Sequence, residues 1–419
     1  MKALLLFLLI CTACSHNTPS QESALMNLQI IDRNGFAETI SSKDRLGPFE
    51  NIDFNAPQPY QKVVRVFGKT SQGEQISTIT TYHPNGQLYQ YLDTQNGRAY
   101  GFFREWFPSG HKKLECRVIE GTPDISELAQ TSWVFDKTSF VWDEEEHLIA
   151  EIHYDKGSLE GPSSYYHKNG HLEKIIPYKA NLVHGTVSLY RESGELLESI
   201  NYTNDLKHGT ACGYKKDGSL RYQEEYTQDL LMTASYFDTD GKTISSISSG
   251  SGRQALFDCD TLISLIDYQK GLPEGKVEIF SPTGHLLSFY HILNGQKSGE
   301  EITYYTNSLT PKISLQWHDD IIQGIVKTWY ENGNLESQKE MSGNKKHGLS
   351  FAWYQDGGLM FMEEYDMGVL VKGSYLKKGD KKPVSKVENG KGIATLYDSK
   401  GHFQKKISYE KGLPHLEDK

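Results

Sequence analysis

Apolar and polar residues alternate over short stretches of this chain, which is the pattern of β-strands that bury one face. Between Leu196 and Tyr202, for example, the apolar side chains of Leu196, Ile200 and Tyr202 fall on the same side of an extended backbone. Glycine-containing turns separate such stretches, and these connections are too short to be crossovers between parallel strands. The pattern therefore predicts short antiparallel strands that follow one another along the chain.

A pair of glycines nine residues apart recurs along the sequence, with an aromatic residue four positions before the second glycine. Three consecutive pairs begin 24 residues apart. The pairs that define the repeat are Gly161 and Gly170, Gly185 and Gly194, Gly209 and Gly218, Gly324 and Gly333, and Gly348 and Gly357. A fixed period of this length indicates a repeat protein whose units contact mainly their neighbours. We therefore expect an all-β fold, an elongated antiparallel meander of about 24-residue β-hairpin repeats in a largely single-layer sheet.

The repeat spacing lapses twice, which suggests how the chain is divided. Successive first glycines lie 60 residues apart between Gly101 and Gly161, and 66 residues apart between Gly209 and Gly275. Residues 243–254 are rich in serine and glycine, a composition typical of flexible linkers. We expect this segment to be a break between two repeat arrays, 61–242 and 255–419. Residues 14–60 are expected to form a tether and a cap for the first strand.

The first residues have the features of a signal peptide. A basic Lys2 precedes an apolar run that ends at Ile10, and this run is too short to span a membrane as a helix. The next four residues, CTAC, resemble a bacterial lipobox, which implies removal of residues 1–13 and acylation of Cys14. Because Ser15 follows that cysteine, the resemblance implies an outer-membrane lipoprotein, facing either the periplasm or the cell surface. A secreted protein without an anchor is the alternative.

Three segments carry a more specific resemblance: "GTVSLYRESGELLESINYTNDLKHG", "GIVKTWYENGNLESQKEMSGNKKHG" and "LSFAWYQDGGLMFMEEYDMG". They resemble MORN repeats, in the bacterial variant known from YwqK-type antitoxin proteins. The resemblance extends, with gaps, over residues 79–414. It implies a meander of β-hairpins that serves as a binding or scaffolding surface and has no shared set of catalytic residues.

No catalytic signature accompanies the repeats. The sequence has none of the motifs typical of nucleotide-binding enzymes, serine hydrolases or zinc proteases. We therefore expect a non-enzymatic envelope lipoprotein without a cofactor, whose sheet acts as a scaffold for a partner protein. Two alternatives stay open. One is a module that holds glycan, peptidoglycan or lipid on its aromatic residues, and the other is an antitoxin-like neutraliser of a toxin.

Aromatic residues of the C-terminal repeats form the candidate binding patch, because tryptophan and tyrosine dominate binding energy at protein interfaces. The patch consists of Trp317, Trp329, Trp353, Tyr330 and Tyr354. The expected partners are an unidentified protein and, through the lipid anchor, a membrane. A formal net charge of −10 argues against nucleic acid as a partner.

Histidines, acidic residues and cysteines point to no metal site. Histidines cluster at the turns, but like turns of adjacent repeats lie about 9–10 Å apart, too far to share a zinc ion. The acidic run from Asp143 to Glu146 lacks the ligand spacing of a calcium loop, so a solvated turn is expected. Cys116, Cys212 and Cys259 either include one disulfide or are all free thiols.

Overall fold

Extended backbone dominates the protein, as the alternating sequence pattern predicts. The computed structural model describes residues 24–306 and 308–415. The predicted signal peptide, residues 1–13, and the predicted acylation site, Cys14, lie outside the described residues. Within the described residues, no helix is long and apolar enough to cross a membrane. The chain divides into two compact units, with the boundary after Gly194.

The N-terminal unit is a succession of strands interrupted by short helical turns. In chain order its elements are β1 (Ala24–Asp32), β2 (Ala37–Ile40), α1 (Lys43–Leu46), a 3-10 turn (Gly47–Phe49), β3 (Gln61–Lys69), β4 (Gln75–Tyr82), β5 (Leu88–Gln95), β6 (Arg98–Trp106), β7 (Lys112–Glu120), α2 (Glu127–Gln130), β8 (Val134–Trp142), β9 (Leu148–Asp155), β10 (Ser158–Leu159), β11 (Gly161–Tyr166), β12 (Leu172–Lys179), β13 (Leu182–Val183) and β14 (Gly185–Tyr190).

The C-terminal unit contains strands alone among its described residues. They are β15 (Leu196–Thr203), β16 (Leu206–Tyr214), β17 (Leu220–Thr227), β18 (Leu230–Phe237), β19 (Thr243–Ser248), β20 (Ser251–Asp258), β21 (Thr261–Gln269), β22 (Leu272–Phe280), β23 (Leu286–Leu293), β24 (Gln296–Lys297), β25 (Gly299–Tyr304), β26 (Pro311–His318), β27 (Ile321–Ile322), β28 (Gly324–Trp329), β29 (Leu335–Ser342), β30 (Lys345–Trp353), β31 (Leu359–Asp366), β32 (Val369–Tyr375), β33 (Ser385–Glu388), β34 (Lys391–Tyr397), β35 (Phe403–Glu410) and β36 (Leu413–His415).

Successive strands pair in antiparallel fashion in each unit, so the predicted all-β meander is confirmed. Two kinds of turn alternate. In one, the N–H of Gly170 donates a 2.9 Å bond to the carbonyl of His167, and the ladder shifts register beside the turn. In the other, two residues such as Asn204 and Asp205 both have positive φ, 51° and 67°. That is the tight turn whose twist suits a hairpin.

Non-repetitive segments cover the sheet of the N-terminal unit on both faces. The predicted cap segment packs Leu46 of α1 against Leu28, Val64 and Tyr82 of the sheet. The hydroxyl of Tyr82 also donates a 2.7 Å bond to the carbonyl of Phe54, which fixes the end of this segment. On the other face, Trp133 follows α2 and its ring packs edge-on against Phe103, with centroids 4.8 Å apart. The sheet is therefore single-layered only where the regular repeats run.

The Ser/Gly-rich segment differs from its prediction as a flexible break. Its first residues form β19, which pairs with β18 on one side and β20 on the other. Ile247 of β19 is buried in one cluster with Ala234 and Ala255 of the two flanking strands. Alternating apolar residues among the serines therefore matter more to this segment than its overall composition.

Candidate interaction surface

Trp329 and Trp353 lie on the same face of the sheet in the C-terminal unit. In β28, Trp329 shares a face with Lys327, which is directly opposite Gln338 of β29. Gln338 is in turn opposite Phe351 of β30, which shares a face with Trp353. Because directly opposed residues project from the same side of a sheet, these strands bring the two tryptophans to one surface.

Aliphatic side chains extend this surface between and beyond the rings. Ile325 is 41% exposed, Leu349 40% and Met362 42%, and Met362 is directly opposite Phe351. The rings of Phe351 and Trp353 stack with centroids 5.8 Å apart and planes inclined by 23°. We call this surface the tryptophan face; its members are Ile325, Trp329, Leu349, Phe351, Trp353 and Met362. It is a row of solvent-accessible apolar groups on a regular scaffold.

Trp317 lies on the opposite face and does not join this patch. Ser314 of β26 is directly opposite Lys327, so it belongs to the tryptophan face, and Trp317, three residues later, projects to the other side. There its indole N–H donates a 2.7 Å bond to the carboxylate of Glu301. The ammonium of Lys297 lies 5.1 Å from the centre of the indole ring. The predicted patch is therefore divided between two faces.

Tyr330 and Tyr354, the other members of the predicted patch, are buried. They are 8% and 0% exposed, and their hydroxyls donate 2.7 Å bonds to the carbonyls of Trp353 and Leu376. The same connection recurs at other repeats, where the ring side chain after the first strand bonds a carbonyl of the following repeat. The further cases are His83 with Trp106, His167 with Tyr190, and Tyr305 with Trp329. These side chains hold repeats together and do not present a binding surface.

The repeat-defining glycines occupy two distinct positions with positive φ. The second glycine of each pair sits in the turn, with φ between +81° and +95°, and these residues are Gly170, Gly194, Gly218, Gly333 and Gly357. The first glycine begins or lies within a strand, with φ between +83° and +116°, and these are Gly161, Gly185, Gly209, Gly324 and Gly348. At Gly185 a methyl group would also lie 3.1 Å from the ring of Pro177. Both positions favour glycine through backbone conformation.

Two segments of the chain, residues 159–180 and 322–341, match the MORN repeat variant family. The chain carries MORN-type repeats. Each matched segment extends over one hairpin, β11 and β12 in the first case and β28 and β29 in the second. The second hairpin contributes Ile325 and Trp329 to the tryptophan face. Its other members, in β30 and β31, lie beyond the matched segment.

Comparisons with whole proteins add little to the family match. No curated protein matches the chain. Among solved structures, the crystal structure of TcdB2-TccC3-TEV is similar over 90% of this chain and 24% of its own, with 13% sequence identity and a TM-score of 0.15. The chain thus spans about a quarter of the length of that protein. A TM-score this low supports no conclusion about fold or function.

Two buried carboxylates organise the core of the C-terminal unit where the MORN-type spacing lapses. Glu224 accepts bonds from the hydroxyls of Tyr226 and Tyr236, at 2.9 and 2.6 Å. Glu363 accepts the same pair of bonds from Tyr365 and Tyr375, at 3.1 and 2.8 Å. Burial, and then the adjacent carboxylate, raises the pKa of all four tyrosines well above the ordinary value.

These carboxylate clusters were not predicted, although the sequence contains a signal for them. The tripeptide Glu-Glu-Tyr occurs at 224–226 and again at 363–365. A matching backbone contact accompanies each copy, since the N–H of Gly271 donates to the carbonyl of Gly250, and that of Gly412 to Gly390, both at 2.8 Å. One variant hairpin module is therefore used twice within the unit.

A recurring turn contact also explains the group of side chains that could hold a metal ion. Asp143, Glu145 and His147 could together offer three ligand atoms within 4.8 Å of one another. However, Nδ1 of His147 is already hydrogen-bonded to Asp143 at 3.0 Å, and Asp398 and His402 repeat this contact at 2.9 Å in another turn. The pairing is thus a feature of the turn.

All three described cysteines, Cys116, Cys212 and Cys259, are free.

Proposed function

We propose that this protein is a non-enzymatic lipoprotein of the cell envelope whose repeat sheet serves as a scaffold for a partner protein. The observation that carries the proposal is the tryptophan face. Six apolar or aromatic side chains share one side of neighbouring repeats there, as defined above. The CTAC sequence ending at Cys14 supports the envelope location and the anchor.

The composition of the tryptophan face favours a protein as its partner. Tryptophan, phenylalanine and methionine are the residues enriched where proteins bind one another. Charged groups of both signs border the apolar row, such as Glu364 and Lys372, which pair at 3.7 Å. An apolar centre with a mixed polar border matches the usual arrangement of a protein–protein interface.

Glycan or lipid binding is the competing proposal, and it would use the same tryptophan face. Aromatic rings stack on sugars, but Ile325, Leu349 and Met362 lengthen the surface with aliphatic groups that offer sugar hydroxyls no hydrogen bond. A toxin is one class of protein partner, and the resemblance to YwqK-type antitoxins is what supports it. Capture of the native partner separates these cases.

The experiment is photo-cross-linking of full-length, tagged protein in its native cells, with a photoreactive amino acid in place of Leu349. We expect one or two proteins to be recovered reproducibly. The double variant Trp329→Ala/Trp353→Ala should lose them, because it removes both indoles from the face while the flanking aliphatic residues stay. Cys14→Ala, which removes the expected anchor, reports whether recovery requires the envelope.

Trp317→Phe is the matched control, since it alters a tryptophan on the opposite face of the same unit. Recovery that persists in Trp317→Phe and disappears in the double variant supports the scaffold. Equal recovery by both variants would show that the tryptophan face is not the interface. Recovery of glycan or lipid alone would replace the scaffold with the competing proposal.

A further inference from the structure

We propose that the N-terminal unit binds a small organic cation with an apolar body in a cavity beneath its cap segment. The cavity has a volume of about 750 Å³, which is within the range of small-molecule sites. The cap segment supplies Phe49, Glu50, Ile52 and Phe54 to its lining. Strands β1, β3, β4, β5 and β6 supply the rest, and this site shares no residue with the tryptophan face.

The cavity is preformed, because hydrogen bonds fix its cap. Tyr82, which is 5% exposed, donates its hydroxyl to the carbonyl of Phe54 at 2.7 Å. Further along the cap, the guanidinium of Arg33 donates to the carbonyls of Pro59 and His83, at 2.6 and 2.7 Å. A preformed site requires little reorganisation when a ligand enters, and this favours binding.

Charge on the lining is of one sign. Glu50 and Asp93 are the charged residues among the described residues that line the cavity, and both are acidic. Asp93 is held in place because its Oδ2 accepts the backbone N–H of Phe102 at 2.9 Å, and its Oδ1 accepts the hydroxyl of Tyr91. The nearby Arg104 is engaged with Glu115 at 2.8 Å. A cationic ligand complements these two carboxylates.

Aromatic rings make the same cavity suitable for an organic cation. Phe49, Phe54 and Tyr100 line it. Ring faces attract alkylammonium groups, and the attraction is greater where the cation is shielded from water. Leu25, Val66 and Ile76 add an aliphatic part to the lining, in which an apolar body can be buried. The ligand class is therefore an amphipathic amine or quaternary ammonium compound.

The test is calorimetric titration of the full chain with two probes of equal chain length, decyltrimethylammonium and decanoate, both below their critical micelle concentrations. We expect saturable one-to-one binding of the cation, and an affinity for decanoate that is at least about tenfold lower. Glu50→Gln should weaken cation binding about three- to tenfold at low salt and leave decanoate unaffected or improved.

Asp44→Asn is the matched control, because it removes one acidic charge from the same cap segment without altering the lining. Asp93→Asn is the second variant, with its fold checked by circular dichroism. Combined with Glu50→Gln, it should weaken binding of the cation further. Equal affinity for the two probes, absence of saturable cation binding, or unchanged cation affinity in the folded Glu50→Gln/Asp93→Asn protein would each overturn the proposal. Since the tryptophan face lies elsewhere, none of these outcomes bears on the scaffold.

Discussion

The phenol hydroxyl of Tyr330 donates a 2.7 Å hydrogen bond to the backbone carbonyl of Trp353, one repeat further along the chain. Tyr354 does the same to Leu376, and Tyr305 to Trp329, so consecutive repeats are tied at the same point. Each bond joins the residue after one repeat's first strand to the end of the following repeat's strand. Neighbouring repeats therefore stabilise each other through side chains as well as through the strand ladder.

Removing one of these hydrogen bonds between repeats should destabilise the C-terminal unit measurably. Tyr330→Phe deletes the hydroxyl and leaves the carbonyl of Trp353 without that donor, at a cost of about 1 kcal/mol. The expected result is a lower midpoint in urea denaturation followed by tryptophan fluorescence. Tyr60→Phe is the control, because Tyr60 is 78% exposed, and its midpoint should match the parent protein. Equal midpoints for both variants would remove the structural role assigned to this bond.

Adjacent glutamates on opposite faces of β31 should respond differently to the same substitution. Glu363 is buried, bonds Tyr365 and Tyr375, and lies 3.9 Å from the ammonium of Lys346. Glu363→Gln removes the charge from this cluster and should lower the free energy of unfolding by about 2 kcal/mol. Glu364 is on the exposed face, and Glu364→Gln should change the free energy of unfolding by less than about 0.5 kcal/mol.

Chemical denaturation of both variants under identical conditions measures this difference. The two substitutions are chemically identical and one residue apart, so general effects of charge removal cancel in the comparison. A loss of similar size in both variants would show that the buried tyrosine–glutamate cluster contributes no special stability.

Alkaline pH should weaken the C-terminal unit through its buried tyrosines. Burial raises the pKa of Tyr330 and Tyr354 to about 12, above the ordinary value near 10. Below pH 10 both phenols are neutral in the folded and unfolded states, so their contribution to stability is complete. As pH rises from about 10 towards 12, the unfolded chain ionises first and the contribution is lost.

The measurement is the urea midpoint between pH 8 and pH 12. The parent protein should lose stability most steeply above pH 10. The double variant Tyr330→Phe/Tyr354→Phe should be less stable at pH 8 but should show a smaller decline above pH 10, because two of the unit's titrating tyrosines are gone. An unchanged slope in the double variant would assign the alkaline loss to other groups.

The repeat period was sufficient to predict the fold but not the faces of its side chains. Gly209 to Gly218 and its equivalents correctly indicated hairpins, because glycine spacing fixes where turns occur. Grouping Trp317 with Trp329 and Trp353 failed because residues in different strands of a repeat can project from opposite faces. The face is set by strand register, which shifts at the bulge beside each turn.

The cap cavity could not be predicted, because it depends on contacts between a non-repetitive segment and the sheet. Phe49, Ile52 and Phe54 lie in a stretch without a period, so the sequence gives no register for them. The carboxylate clusters were predictable in principle from the recurrence of Glu-Glu-Tyr at 224 and 363. Comparing the chain one 24-residue repeat at a time does not show this recurrence, because the module that contains Glu-Glu-Tyr is longer than one repeat.

Thiol labelling should follow burial, since all three described cysteines are free. Cys259 is exposed in the turn between β20 and β21, whereas Cys116 is 2% exposed and burial raises its pKa to about 12. Thiolate is the reactive form. A short pulse of N-ethylmaleimide at neutral pH should label Cys259 first and Cys116 only after denaturation. Mass spectrometry of peptides reports the order, and a disulfide between any two of them would contradict the structure.

Two glycines with similar backbone angles should differ sharply in their tolerance of alanine. Gly333, in the turn after β28, has φ +87° and no heavy atom within 4 Å of where a methyl group would lie. Gly333→Ala should therefore cost only the strain of the left-handed conformation, about 1 kcal/mol. At Gly390, φ is +74°, but a methyl group would lie 2.6 Å from the backbone nitrogen of Gly412.

That nitrogen donates to the carbonyl of Gly390, and the N–H of Gly390 donates to the carbonyl of Val371 at 2.9 Å. The clash with the methyl group therefore cannot be relieved without breaking these backbone hydrogen bonds. Gly390→Ala should cost about 3 kcal/mol or more, combining strain with lost hydrogen bonds. Urea midpoints of the two variants test the difference. Gly250→Ala, at the equivalent position of the first module, should behave like Gly390→Ala because its methyl group would lie 2.5 Å from the nitrogen of Gly271. If Gly333→Ala proved as damaging as these two, backbone conformation alone, and not the packing of the duplicated module, would account for the glycines.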